Sequence, residues 1–395
     1  MPGAISQKIE HFMKEGSWIR RMFEEGAAMR AQLGADNVFD YSLGNPMGEP
    51  PAKFMKALKK CLDDPAKGTH GYMPNAGYPA VRNTLAGHLA AEFDLPIEGR
   101  HLVMTVGAAG ALNVALKTLV NPGETVIVFA PYFVEYGFYI DNIGAVRRIV
   151  ETDIDFNLNL EAIDMALDAS VKALILNTPN NPTGRVYPEK TLKQLGELLE
   201  SRSREFGHPI YILSDEPYKR IVYDGAEVPC MLKMHRDTLI CTSYSKELAI
   251  PGERLGYVLV NPELPDAQLI ADGLTFCNRI LGYVNAPALM QRALGQAVDA
   301  IVDITPYVEN RALLLENLRS FGYDIITPEG AFYLFPRSPI DDEVDFIQEL
   351  KKERILAVPG RGFGRKGYFR LSYCVTRKMI EDSLPGFKRA IERVR

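Results

Sequence analysis

The chain has no apolar run near the roughly 18 residues that a membrane span needs, and no stretch where lysine and arginine cluster. The first absence excludes a spanning helix. The second, with 45 Lys plus Arg against 50 Asp plus Glu and a net charge of -5, removes the electrostatic footprint of a nucleic-acid binder. Cysteine is scarce too. Five residues (Cys61, Cys230, Cys241, Cys277, Cys374) are scattered, odd in number and never spaced as C-x-x-C. That pattern argues against a disulfide framework and a structural zinc, and for free thiols in a reducing compartment. Residues 1–10 lack the apolar core of a secretory signal, and no repeat or low-complexity tract occurs. The expectation is a cytoplasmic protein with no membrane and no nucleic-acid partner.

What is present is an ordinary globular composition: 395 residues, 47% hydrophobic and 24% charged, long enough for two or three compact units. Short, continuously apolar, β-branched runs at 102–106, 125–129, 171–176, 210–214, 238–242 and 256–260 read as strands buried on both faces. A seventh, 146–150, is interrupted by Arg147 and Arg148 and reads as an edge. Helical patterns at 108–119, 160–167 and 188–205 lie between them. This alternation predicts an α/β unit over 46–285 with a mainly parallel seven-stranded sheet. Two long helices at 286–303 and 306–321 follow, then short strands at 323–327, 331–335, 355–357 and 368–371 with helices at 344–354 and 377–394. These predict a smaller α+β unit from 286–395, on which a partly helical 1–45 docks.

Four segments carry chemistry. In 242–257 (TSYSKELAIPGERLGY) a strand ends in Ser243 and Ser245, then Lys246, with Arg254 eight residues on. Hydroxyls and a guanidinium suit a phosphate, and a lysine beside them suits Schiff-base chemistry, although an arbitrary lysine is a solvated one. Asp215, in Asp215-Glu-Pro-Tyr218, follows an apolar strand, where α/β folds place ligands; alone it reads equally as a helix N-cap. The segment 177–184 (NTPNNPTG) by itself is a rigid turn. Residues 105–112 (TVGAAGAL) lead from strand to helix through small residues, as an anion site at a helix start needs. They lack G-x-G-x-x-G, so a dinucleotide fits poorly. Pro359-Gly-Arg-Gly-Phe-Gly364 reads as a loop.

Taken together, Asn181-Pro-Thr-Gly184, Asp215-Glu-Pro-Tyr218, Ser243-Tyr-Ser-Lys246, Arg254 and Phe369-Arg-Leu-Ser372 resemble the class I/II aminotransferases, pyridoxal 5′-phosphate enzymes of fold type I, over nearly the whole chain. The resemblance implies that 46–285 is the large cofactor-binding domain and that 1–45 with 286–395 forms the small one. It implies Lys246 as the Schiff-base lysine, Asp215 as the partner of the pyridinium nitrogen, and Tyr218 and Asn181 on the ring's phenolic oxygen. Phe133 would stack on the ring. Ser243, Ser245, Arg254 and the backbone of Ala108 and Ala109 would hold the phosphate, with Tyr72 reaching it from the neighbouring subunit of a homodimer. Arg370 would clamp the substrate α-carboxylate, with Gly44 and Asn181 beside it.

The implied activity is a ping-pong transamination between an L-α-amino acid, aspartate or similar, and a 2-oxoacid, 2-oxoglutarate by the family's commonest choice. Asn45 stands where many relatives carry Glu or Gln, and 109–111 lacks the lysine of some aspartate-specific relatives. Arg279 lies near where others present a second arginine, and it reads equally as a surface helix residue. A C–S lyase of the same fold type shares every cofactor contact and is separated by its products, pyruvate and ammonia formed without an oxoacid. A cofactor-binding regulatory domain is disfavoured, because the roughly 40 residues before Gly44 are too few and not basic enough for an attached DNA-binding unit.

Overall fold

A computed structural model describes residues 4–15, 18–34, 37–64 and 68–395, the side chains of 14–15 and 18–23 excepted. Its central element is a seven-stranded sheet: β1 (Leu102–Thr105), β2 (Thr125–Ala130), β3 (Val146–Glu151), β4 (Val171–Asn177), β5 (Tyr211–Asp215), β6 (Thr238–Ser243) and β7 (Gly256–Val260). All seven runs expected from the sequence are there, each within a residue or so. Their spatial order is β1-β7-β6-β5-β4-β2-β3. Neighbours from β6 to β3 are parallel, and β7 alone runs antiparallel between β6 and β1. Side chains of β2, β5 and β6 are buried almost throughout, as strands covered on both faces require. β3 is one of the two edge strands and is mostly exposed, whereas β1 at the other edge is buried. Arg148 on it pairs with Asp168 at 2.8 Å, a charged edge that resists pairing with another chain.

Helices cover the sheet on both sides. Gly107–Leu119 and Ala267–Ile280 bury Ala111, Leu116, Ile270 and Leu274 with Val126, Val128 and Leu213. On the other face Leu192, Leu195 and Leu199 of Glu189–Phe206 pack with Leu174, Leu176 and Ile212. The strand order reverses direction between β2 and β4, and open α/β sheets bind ligands beyond the carboxyl ends of the strands at such a point.

The C-terminal elements build a separate core around Tyr41, Phe332, Phe346, Phe369 and Phe387. A three-stranded antiparallel sheet joins Val358–Pro359, Phe369–Ser372 and Tyr333–Leu334, flanked by helices Thr305–Phe321, Glu343–Lys352 and Arg377–Glu392. Phe39–Asp40 pairs in parallel with Ile355–Leu356, so the segment before the sheet unit is tied to this core. Helix Gln7–Glu15 instead lies against the sheet unit: Lys8 pairs with Asp141 at 2.5 Å and the Phe12 ring meets Phe138 edge-on at 5.0 Å. The expected helix and loop at 1–3, 16–17 and 35–36 lie outside the described residues. No helix among the described residues is long and apolar enough to cross a membrane.

Two expected elements are corrected. The helix expected over 286–303 is only Ala288–Leu294, because Gly295 caps it and Val302 N–H then donates to Glu247 O at 2.9 Å, which draws the chain away. No strand forms at 323–327. There the Ile325 carbonyl and the Thr327 hydroxyl both accept from the Arg319 guanidinium at 2.7 Å, which holds the segment against its own preceding helix.

Leu174 on β4 is fully buried between neighbours of the central sheet. Leu174→Ala should lower unfolding stability by about 2–5 kcal/mol, read from the urea midpoint at unchanged slope.

Candidate active site

The carboxyl ends of β2, β4, β5 and β6 open on one cavity of about 290 Å³. Its walls include Phe133, Asn177, Asn181, Asp215, Tyr218, Ser243, Ser245, Lys246, Arg254, Tyr333 and Arg370, with the backbone of Ser42–Gly44 and the helix start at Ala108 and Ala109. Every site residue named from the sequence except Tyr72 is therefore brought together. Tyr72 is 96% exposed and does not line the cavity of its own chain. Arg279 is exposed at the last turn of Ala267–Ile280, its guanidinium 5.2 Å from the Phe276 ring centre, and is not in the wall.

Asp215 ends β5 and is opposite Asn177, which ends the parallel β4. Tyr136 O–H donates to Asp215 Oδ2, and Asn177 Nδ2 donates to the Asp215 main-chain carbonyl at 2.9 Å. Oδ1 is buried with no partner. Burial pushes the Asp215 carboxyl up to about 7; the Tyr136 hydrogen bond opposes that rise and neighbouring Glu216 adds to it. A buried acceptor without a donor costs about 1–3 kcal/mol, so this oxygen is made for a ligand N–H. A protonated ring nitrogen is such a donor.

Lys246 projects from the one-turn helix Tyr244–Glu247, whose first turn is capped by Ser243 Oγ accepting from Ser245 N–H at 3.0 Å. Its Nζ donates to Gly44 O at 2.6 Å. Burial lowers its pKa to about 8, and the Arg370 and Arg254 charges act in the same direction. The amine is thus a usable nucleophile and base near neutral pH.

Next to it, Arg254 Nη1 donates to Pro251 O at 2.9 Å and lies 3.4 Å from Ser245 Oγ, while Ser243 Oγ and Ser245 Oγ are 2.6 Å apart. The start of Gly107–Leu119 adds backbone N–H groups with no partner inside the helix. Gly107 has φ +82°, and a Cβ there would come within 2.7 Å of the Arg254 guanidinium. Only glycine lets the two close on one anion.

Arg370 sits on the strand Phe369–Ser372, whose alternation sends Phe369 and Leu371 into the core and Arg370 to the cavity. It is buried, donates to Asn181 Oδ1 at 3.0 Å and Ser42 O at 2.7 Å, and keeps Nε without a partner. The Tyr333 and Phe363 ring centres lie 4.6 and 4.8 Å from its guanidinium carbon. Tyr218 and Tyr333 share a hydroxyl hydrogen bond of 2.9 Å.

Sequence reasoning missed Tyr136, Tyr139, Tyr333 and the role of Asn177 as neighbour of Asp215. Asn177 carried a signal, a polar residue ending an apolar strand, as Asp215 does. Tyr333 carried none, because only the folded chain brings it to Gly44.

These groups fit a compound that offers a phosphate, a protonated ring nitrogen and a carbonyl for Lys246, with a carboxylate left over for Arg370. Comparison with known proteins gives the family. Aminotransferase class I and II matches residues 36–384. An aspartate/prephenate aminotransferase of Thermus thermophilus is 32% identical, over 89% of this chain and 90% of its own. A probable aspartate aminotransferase of Methanocaldococcus jannaschii is 30% identical, over 91% and 95%. The crystal structure of an amino transferase from Eubacterium rectale superposes with a TM-score of 0.95 at 38% identity, covering 99% of each chain.

The lowered pKa of Lys246 is directly measurable. In the cofactor-free protein, acylation of Lys246 followed by peptide mapping should be half-maximal near pH 8, while exposed lysines react fully only above about pH 10. Folding releases a proton from this group between about 8 and the ordinary 10.5, so its contribution to stability grows as pH rises through that window. A midpoint near 10 would mean that the amine is hydrated rather than buried.

Proposed function

The chain belongs to the class I and II aminotransferases and is an aminotransferase, and we propose that it works with pyridoxal 5′-phosphate held in the cavity just described. The observation that carries this is the pair of buried, unpartnered atoms, Asp215 Oδ1 and Arg370 Nε, on residues that share one wall with Lys246. In this reading 46–285 forms the large unit and 1–45 with 286–395 the small one, with helix Gln7–Glu15 of that first segment resting on the large unit. Five free cysteines fit a cytoplasmic setting.

Arg254, Ser243, Ser245 and the Ala108 and Ala109 N–H groups would hold the phosphate, Phe133 would lie on the ring, and Asp215 Oδ1 would accept the ring N–H. Tyr218 and Asn181 would bond the phenolic oxygen. Bound there, the cofactor supplies an electrophilic carbonyl for the amine and a conjugated ring that takes up the electron pair of a broken bond. Lys246 would hold it covalently at rest and, once displaced by a substrate amine, take the α-proton at Nζ. Its lowered pKa keeps enough neutral amine for that transfer. Arg370 would bind the α-carboxylate through two N–H groups, fixing which α-carbon bond is presented; Gly44 and Asn181 complete that wall.

For substrates we infer an amino donor such as aspartate and 2-oxoglutarate as acceptor; the names of the Thermus and Methanocaldococcus relatives support aspartate. Lys246, Arg254 and Arg370 are the only basic residues in the described wall, so a side-chain carboxylate needs a further cation. Arg279 lies on an exposed face with Phe276 and Ile280, and exposed Tyr72 also lacks a place in its own cavity. Both suit a homodimer in which each copy completes the other's site.

Borohydride treatment of the loaded enzyme, followed by peptide mapping, should find the reduced pyridoxyl group on Lys246; another lysine would falsify the assignment. With a panel of donors and 2-oxoglutarate, Arg370→Ala should depress kcat/KM for every substrate. Arg279→Ala should lower it about 10- to 150-fold for aspartate only, sparing alanine. Equal losses on both donors would make Arg279 structural. Mixing inactive Lys246→Ala and Tyr72→Ala chains should restore activity, because one heterodimer site is intact; a fully active monomer in sedimentation refutes the shared site.

A further inference from the structure

A second cleft, sharing no residue with the cavity, holds charges that the proposed chemistry leaves unused. Glu92, Glu216, Lys219, Arg220 and Glu247 surround it, with His88 and the hydroxyls of Tyr244 and Tyr257. Glu92 pairs with Lys219 at 3.0 Å and with Arg220 at 2.5 Å, and Arg220 Nε reaches Glu247 at 3.4 Å. His88 Nε2 lies 3.3 Å from Arg220 Nη2. Glu216 Oε1 accepts from Ser214 Oγ at 2.6 Å, and Lys219 Nζ sits 3.5 Å from the Phe93 ring centre.

Three members of this cluster are chain neighbours of cavity residues: Glu216 follows Asp215, Lys219 follows Tyr218, and Glu247 follows Lys246. The last pair is the most consequential. Tyr244–Glu247 is four residues long, and a single turn has no stability of its own. Its first end is held by Ser243. At its last end the anchors are the Glu247–Arg220 pair and the Val302 N–H bond to Glu247 O.

We propose that Glu247 is a positioning residue for Lys246. Its pair with Arg220, passed on through Arg220 to Glu92 of the helix Pro79–Phe93, fixes the turn and with it the place of Lys246 Nζ beside Gly44 O. The inference rests on the role given to Lys246 above. A fully exposed ion pair would be too weak for this; here the Glu247 side chain is 15% and the Arg220 side chain 35% exposed, so solvent screens the pair only in part. Loss of Glu247 would leave Arg220 held by Glu92 alone at 2.5 Å and would take from the turn its ion-pair link to the helix Pro79–Phe93. Among the described residues Arg220 is the basic side chain within ion-pair distance of Glu247, with Lys219 acting on it from further off, so the turn has no second ion pair to hold its last end. Burial also pushes the Glu247 carboxyl up to about 7, as expected where pairing only partly offsets desolvation.

The test uses the loaded enzyme and two substitutions. Glu247→Ala should shift the pH midpoint of the visible absorbance of the lysine-bound cofactor by about half a unit or more. It should lower kcat about tenfold, with KM nearly unchanged because Arg370 is intact. Glu247→Gln, which can still bond Arg220, should recover most of both. A fall in melting temperature with the midpoint and kcat at parent values would overturn the proposal, since that is what a merely structural pair predicts. Should Glu247→Ala not fold, Glu92→Gln must move the midpoint by a smaller amount, and no movement refutes the link. Borohydride mapping of the parent decides separately whether Lys246 carries the cofactor; a parent without it overturns both readings.

Discussion

Arg370 is a guanidinium buried without a counter-anion, and much of the molecule is arranged around that fact. Its surroundings supply only neutral compensation: an amide oxygen from Asn181, a main-chain oxygen from Ser42 and two aromatic faces. Burial lowers its pKa, and among the described residues the groups acting on it are Tyr333, Tyr218 and Cys374, none a carboxylate. Such a group is held in place only if distant parts of the chain agree on its position. Ser42, Asn181, Tyr333 and Arg370 come from four regions of the sequence, and Ser372 N–H reaches back to Tyr41 O at 2.8 Å to keep two of them in register. The C-terminal core and the sheet unit are thereby joined at the Arg370 side of the cavity, where, in the proposed function, an incoming carboxylate would complete a charge balance that folding leaves open.

The same strand ends organise a division of charge. Within the cavity three basic side chains, Lys246, Arg254 and Arg370, stand against Asp215, a balance that would suit the phosphate and carboxylate of the proposed function. In the second cleft three carboxylates face two fixed cations. Residues 215 and 216, 218 and 219, and 246 and 247 each send one member to each place. Asp215 illustrates the consequence. Burial and the neighbouring Glu216 raise its affinity for a proton, whereas the Tyr136 hydrogen bond holds the carboxylate form. A cationic ring N–H would settle that contest in favour of the carboxylate.

Most of the sheet and the Ser243–Arg254 side of the cavity were legible in the sequence because both are local. Buried parallel strands declare themselves as apolar β-branched runs, and hydroxyls, Lys246 and Arg254 stand within twelve residues of one another. The elements that were misread depend on distant partners. Residues 295–303 have helical character, yet Gly295 stops the helix and Glu247 takes the Val302 N–H. The run at 323–327 is apolar enough for a strand, yet its acceptors belong to Arg319. Tyr136 and Tyr333 touch functional groups through single hydroxyls, a use of tyrosine that has no local pattern.

Substrate choice lies one level further from the sequence, and counting charges shows why. A phosphate would occupy Arg254 and an α-carboxylate Arg370, while Lys246 must be neutral to act as a base. The described wall then has no cation left for a third anion, so it treats a substrate side chain through Tyr333, Tyr139, Leu43 and Leu112, which are apolar bodies with at most a hydroxyl. Discrimination by such a surface is modest, about 10- to 200-fold per methylene-sized difference. A strong preference for a dicarboxylate must therefore come from a charged group brought in from outside that wall. Motifs that fix the reaction hold the atoms common to every substrate; the atoms that differ meet surfaces no motif encodes.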